Sequence, residues 1–306
     1  MDQPASSKPK PRWGQARRLA FIDLRLRYDG RINRRDLTEF FDISHPQASA
    51  DLASYQEARP DNLRYDASSR SYLALDPFRP LDDRTAATSY LDELQRLECG
   101  VVDRDESFVG FVPPTGVVAS PARTIEGAEV AVLVRAIRAG TALKVQYQSM
   151  DQEDPLQISI TPHAIGFDGL RWHTRAYCHQ RQIFRDFAIG RLTVEASDPA
   201  PERVDASKDD GWRVWVNILL VPNPNLSKHQ KTMVMRDYGM SDGQLVLPCR
   251  KAMLFYTLRH LNLEKDEVLK DAARQHVIVS NRKQVDQWLV EDRNGSSSPY
   301  TKELRV

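Results

Sequence analysis

Arg171, His173 and Arg175 recur at every second position of RWHTRAY, residues 171–177. In an extended strand that spacing puts all three on one face with Tyr177, and Trp172, Thr174 and Ala176 on the other. A row of cations on one face is chemistry for an anion, because guanidinium groups donate paired hydrogen bonds to phosphate or carboxylate oxygens. Asp168-Gly169, just before the row, reads as a two-residue hairpin turn joining LQISITPHAIGF to LRWHTRAYC. On that register Arg171 faces Gly166, His173 faces Ala164 and Arg175 faces Pro162. These neighbours are compact, so the expectation is a cationic trough, rimmed by Arg185 and Arg191, rather than a set of ion pairs. An unpaired trough is costly unless an anion occupies it. A phosphate, a nucleotide or a single-stranded nucleic acid backbone suits it, with Tyr147, Tyr177 or Phe187 as a stacking surface for a base. His163 falls on the opposite parity unless a bulge at Pro162 shifts it. The competing reading is a wet face on which Asp151, Glu153, Asp154 and Asp186 neutralise the arginines; charges over 141–195 do cancel by count.

A second group of polar residues opens a helix. In SHPQASADLASYQEA, Ser44 suits the N-cap and Pro46 the first turn, where a missing N–H costs little. The preceding stretches, QARRLAFIDLRLRY (15–28) and RRDLTEFFD, carry apolar residues at helical spacing, and only IS separates the latter from Ser44. NLRYDASSRSYLAL follows as two short strands around DASS, which makes a winged helix-turn-helix. His45, Gln47 and Ser49 then present polar groups to base edges, and Ser44 and the helix N-terminus approach a phosphate. Arg35, on the helix before, and Arg64 and Arg70, flanking the wing, complete the expected DNA contacts. Charge agrees: residues 1–35 hold ten Lys or Arg against three Asp, while the whole chain has a net charge of +1. The competing reading is a winged helix used for protein docking.

These groups need a scaffold, and 306 residues suffice for more than one domain. A polar, basic, disordered tail is expected at 1–12, the winged helix over 13–80, and a helix (82–98) with a Pro- and Gly-rich connector over 81–124. Period-two patterns after the helix 126–140 give a small, strongly bent sheet or barrel over 125–200. Alternating strand-like and helix-like runs give an α+β domain over 210–293, followed by a flexible tail, 294–306. Cys99, Cys178 and Cys249 are scattered and odd in number, and no metal-ligand spacing occurs, so neither disulfide framework, metal nor cofactor is expected. Cys178 shares parity with Trp172 and points away from the basic face. Catalysis is therefore not expected, a hydrolase using Cys178 or the histidines being the rival. No apolar run spans a bilayer and no signal peptide follows Met1, so the expected place is the cytoplasm, at the nucleoid.

PHAIGFDGLRWHTRAYC and FRDFAIGRL, following a winged helix-turn-helix, resemble the WYL-domain bacterial transcriptional regulators. The resemblance is strongest to the BREX- and CBASS-associated repressors of phage-defence islands. Trp172-His173-Thr174 stands where the family's naming motif lies, departing from it at the second and third letters, as is usual for that branch. The resemblance covers nearly the whole chain. It implies a multidomain α+β protein: a winged helix, a Sm/SH3-like β-barrel WYL domain and a C-terminal α+β extension, the last a candidate dimerisation element. It further implies a homodimer that represses from an inverted repeat of double-stranded DNA at its own operon. The implied effector is a nucleotide or single-stranded nucleic acid, sensed in the WYL domain through Ser149, Arg171, His173, Arg175, His163 and Arg185, to which the residue pattern adds Tyr147. A single-strand-binding module and a transcriptional activator of the same architecture remain as alternatives.

Overall fold

The computed structural model describes residues 13–81, 87–121, 123–150, 152–198, 204–264, 272 and 274–295. The expected tail at 1–12, Asp151, the start of the expected 82–98 helix and the tail beyond Gly295 lie outside them. The chain forms two compact units, Met1–Ala119 and Ser120–Val306.

The first unit runs α1 (Trp13–Asp29), β1 (Arg31–Ile32), α2 (Arg34–Phe41), α3 (His45–Ala58), β2 (Leu63–Asp66), β3 (Ser71–Ala74) and α4 (Ala87–Glu98). A reciprocal cap starts α2: Asn33 accepts from the Asp36 N–H, and the Asp36 carboxylate accepts from the Asn33 N–H. Asp42 ends it in the left-handed conformation, φ 50°, so the chain turns sharply enough for α3 to start at Ser44, whose hydroxyl accepts from the Gln47 N–H. The antiparallel sheet has the order β1-β3-β2. Its strand β1 lies in DGRIN and is two residues long, too short to show a periodic pattern. Phe21, Ile22, Leu26, Leu37, Leu52 and Tyr55 are fully buried, and Phe40, Phe41 and Phe108 ring Phe21 with centroids 4.8–5.3 Å away. Phe108 comes from the segment after α4. At Gly110, in the expected connector, a Cβ would overlap the Asp29 carboxylate and the Arg25 guanidinium, so this end of the connector is packed structure.

The second unit begins with α5 (Gly127–Ala139), closed by left-handed Gly140. Strands β4 (Ala142–Tyr147), β5 (Leu156–Phe167), β6 (Trp172–Cys178), β7 (Ile183–Ala188) and β8 (Leu192–Asp198) follow. They pair antiparallel in the order β7-β6-β5-β4-β8. Leu143, Val145, Ile160, Ala176 and Phe187 line its core face against Leu133 and Ala136 of α5. Then come α6 (Asp210–Arg213), β9 (Trp215–Pro222), α7 (Lys228–Asp237), β10 (Leu245–Arg250), α8 (Leu254–His260), β11 (Val277–Val279) and α9 (Arg282–Gly295). The antiparallel sheet β10-β9-β11 packs one face on Val234 of α7, Leu254 and Leu258 of α8 and Val285 of α9.

One expectation is corrected. The β5–β6 ladder closes at Phe167 opposite Trp172, with Gly166 opposite His173 and Ala164 opposite Arg175. The loop therefore spans Asp168 to Arg171 rather than two residues, and each expected pair is displaced. Asp168 causes this: its Oδ1 accepts from the Leu170 and Arg171 N–H groups at 2.8 and 2.7 Å, while its own N–H donates to the Arg171 carbonyl. The ladder also shifts between Pro162 and Ala164, the bulge on which the placement of His163 depended.

Candidate DNA-reading surface and ligand site

The first turn of α3 is exposed at Ser44, His45 and Gln47, with Ser49 half-buried one turn on. Gln47 is anchored rather than loose. Its Nε2 donates to Asp51 Oδ1 at 3.2 Å, and Asp51, fully buried, also binds Arg18 of α1 at 2.6 and 3.3 Å. Oε1 and one amide hydrogen of Gln47 are left, which is the pair a bidentate contact to adenine uses. The Ser49 hydroxyl donates to the His45 carbonyl at 3.0 Å. Arg35 is exposed and pairs with Glu39 at 2.6 Å, an exposed pair that a phosphate can displace at little cost. Arg64 is exposed on β2, and Arg70 takes a left-handed conformation, φ 51°, at the end of the wing turn. Three hydrogen bonds from Ser68 and Ser69 shape that turn and hold the Asp66 carboxyl down at about 2. Arg18 and Asp51 escape sequence reading, although Asp51 stands four residues after Gln47, on the same helix face.

In the second unit the cations of β6 do meet carboxylates, so the expected unpaired trough is overturned. Arg175, 2% exposed, donates Nε and Nη2 to Asp209 at 2.8 and 2.9 Å, and Nη1 to Asp186 at 3.3 Å. The bulge brings His163 onto the same carboxylate, Nε2 to Oδ2 at 2.8 Å. His173, 4% exposed, meets Asp168 Oδ2 at 2.9 Å and packs on the Tyr256 ring, while Arg171 Nε lies 3.7 Å from Asp168. Burial pushes the Asp209 carboxyl up, but hydrogen bonds from Arg175 and His163 outweigh it and hold the group below the usual carboxylate range. Asp168 is likewise lowered, burial being outweighed by His173 and the Leu170 and Arg171 N–H groups. Packing on this face is close: at Gly169, φ 93°, a Cβ would overlap the His260 ring. RWHTRAY thus binds the sheet to Asp209 and α8. Asp209 caps α6 from 34 residues downstream of Arg175, in a stretch whose composition suggests a linker, so no local pattern marks it.

Arg185 and Tyr147 lie on the other face. Arg185 stands opposite Ala176, and Tyr147 packs edge-on against Phe187 with centroids 5.1 Å apart. The expected rim position of Arg185, beside Arg171 and Arg175, is therefore corrected: one residue of alternation puts it across the sheet. Arg185 is 9% exposed and its Nε is buried with no hydrogen-bond partner among the described residues. Burial, then Arg181, push its pKa down. Its guanidinium sits 6.0 Å from the Phe187 centroid. Ser149 follows β4, half-buried.

Cys178 and Cys249 are buried and Cys99 is exposed. Among the described residues no three His, Cys, Asp or Glu side chains gather as a metal site, and no helix is long and apolar enough to cross a membrane.

Three family models match the chain: the BrxR winged helix-turn-helix domain over 14–96, the WYL domain over 128–195 and the BrxR C-terminal dimerization domain over 215–285. The DNA-binding transcriptional repressor CapW of Stenotrophomonas maltophilia is 59% identical over 95% of this chain and 97% of its own length. CapW of Pseudomonas aeruginosa is 38% identical over 93% and 95%. Proteasome accessory factor B/C of Arthrobacter aurescens, a solved structure, aligns over 94% of this chain and 51% of its own at 16% identity, with a TM-score of 0.24. The winged helix, the five-stranded sheet behind it in sequence and the full-length identity converge, and the chain belongs to the CapW family, WYL-domain DNA-binding transcriptional repressors rather than enzymes.

Proposed function

We propose that the chain represses a phage-defence operon as a homodimer on an inverted repeat upstream of its own gene, in the cytoplasm, and is released by an anionic effector. In this reading Ser44, His45, Gln47 and Ser49 read each half-site in the major groove, and Arg35, Arg64 and Arg70 contact the backbone. Two half-sites one helical turn apart follow from a two-fold dimer. The central sheet is taken as a Sm/SH3-like barrel, in keeping with its five antiparallel strands and bulges.

Arg185 is the observation that carries the effector. The Arg185 Nε is buried with no hydrogen-bond partner, which is costly to the fold, and a bound anion beside Tyr147 and Ser149 removes that cost. In this reading the effector is a nucleotide or short single strand whose phosphate pairs with Arg185. Arg171, His173, Arg175 and His163, on the reverse face, are already held by Asp168, Asp186 and Asp209. They serve to relay the bound state to the C-terminal domain, a coupling of about 1–3 kcal/mol.

The test is Arg185→Met. Expected are unchanged operator affinity, an unchanged or higher melting temperature, and loss of release by mononucleotides and short single-stranded oligonucleotides. A variant that is destabilised, or that is still released as the parent chain is, removes the effector role of Arg185.

A further inference from the structure

Strand β8 is an edge of the central sheet: it pairs with β4 and with no other strand among the described residues. An edge strand carries backbone N–H and C=O groups that no ladder uses. Near its start β8 has them covered, because the Leu192 N–H donates to the Ile189 carbonyl and the Val194 N–H to Glu129 of α5 at 2.9 Å. Glu195 then bulges out of the ladder, and the pairing resumes at Ala196. Which residue faces outward beyond the bulge follows from the neighbouring strands. The His179 N–H donates to the Ser159 carbonyl, so Ser159 turns its backbone groups toward β6 and Ile160 turns its own toward β4, where its partner is Leu143. Leu143 therefore gives its backbone groups to β5. Ser197, its neighbour on β8, turns its N–H and C=O to the open edge.

Alongside that edge runs a groove of about 420 Å³ between β8 and α5. Val132, Ala136 and Ala139 of α5, Leu143 of β4 and Val194 and Ser197 of β8 line it. Arg135 stands in the α5 wall, and Arg138 is exposed one turn on. Glu195 also borders the groove, but its Oε1 accepts from Gln146 and Gln157 at 2.7 and 3.1 Å. Gln146 alternates with the core residues Val145 and Tyr147, so that carboxylate is held on the sheet's other face. The groove is apolar at its floor and cationic at its helix wall.

We propose that this edge and groove bind an extended peptide segment of a partner protein, which adds to β8 as a further strand. The chemistry of the segment follows from the geometry. The peptide residue that pairs with Ser197 lies on the same face as Leu143, so its side chain enters the groove and is apolar. A residue two places along shares that face and meets Arg135, so it is acidic. The motif is thus an apolar and an acidic residue separated by one position of any type. The inference stands apart from the operator and effector readings given above.

Random heptapeptides displayed on phage and selected against the immobilised full chain supply the probe. The enriched peptide is synthesised and its affinity measured by fluorescence anisotropy. Enrichment of the apolar and acidic pair at that spacing, in either chain direction, is expected. Methylating the backbone nitrogen of the apolar residue removes its hydrogen bond to the Ser197 carbonyl, and is expected to weaken binding at least about tenfold. Methylating the next residue, whose N–H points away from β8, is expected to change it less than about twofold. Arg135→Glu, on the exposed side of α5, is expected to weaken binding at least about tenfold. The methylation comparison alters the peptide alone, so it decides the matter even where Arg135→Glu fails to fold. No enriched peptide, equal effects of the two methylations, or full affinity in a folded Arg135→Glu chain overturns the proposal.

Discussion

Asp209→Ala is expected to lower the stability of the chain by about 3–5 kcal/mol, the usual loss when one partner of a buried ion pair is removed. Arg175 and Asp209 are each 2% exposed, and the substitution strips Arg175 of two short hydrogen bonds and His163 of its partner. Asp186, at 3.3 Å, still faces the buried guanidinium. A urea titration followed by tryptophan fluorescence reads the loss as a lower midpoint. The pH dependence has a definite sign. The folded Asp209 pKa lies below its unfolded value of about 3.9, so its contribution is complete above that value and is lost as pH falls through the folded one. Acid unfolding of the Asp209→Ala variant should be correspondingly less steep. Arg175→Met with Asp209→Leu should recover most of the midpoint, because no buried charge is stranded. A single variant within about 1 kcal/mol of the parent would show that water already solvates this pair.

Arg18→Leu is the second large effect, in the other unit. Among the described residues it leaves the fully buried Asp51 carboxylate with the Gln47 amide and its own helix. The expected cost is about 3 kcal/mol, at the low end for buried pairs because Arg18 keeps 17% of its side chain exposed. Pairing it with Asp51→Leu should restore stability and still leave Gln47 without its anchor. Operator affinity then separates structure from readout. Gln47→Ala alone is expected to weaken binding by about 1–3 kcal/mol and relax one base preference, and the restored double variant should show part of the same relaxation. Full affinity and unaltered preference in both would remove Gln47, and the network beneath it, from recognition.

These two ion pairs also mark where the sequence stops being legible. Helices, capping residues and the wing are local events, so Ser44, Pro46 and the DASS turn announce α3 and the β2–β3 hairpin directly. Strand parity is local too, which is why Cys178 and Trp172 come out on the face opposite Arg175. Asp168 is the first failure: a side chain capping its own turn lengthens the loop by two residues, and a dipeptide signal does not register that. Arg185 is the second. It lies near the basic row in sequence but across the sheet from it, because one strand's alternation decides the face. Asp209 and Asp51 are the third, since a counter-ion supplied from 34 or 33 residues away leaves no periodic trace. Counting compact neighbours across the hairpin suggested an empty trough. The partner came from an element the hairpin cannot see.

The central claim is sequence-specific duplex binding, and one measurement reaches it directly. Fluorescence anisotropy of the full chain on labelled duplex from immediately upstream of its own gene is compared, at one fixed salt concentration, with a scrambled duplex and with single strands. Salt must be held because phosphate contacts alone make affinity fall steeply with ionic strength. The account predicts binding to the native duplex at least about a thousandfold tighter than to the scrambled one. Single strands that bind best, with native and scrambled duplexes alike, would contradict it.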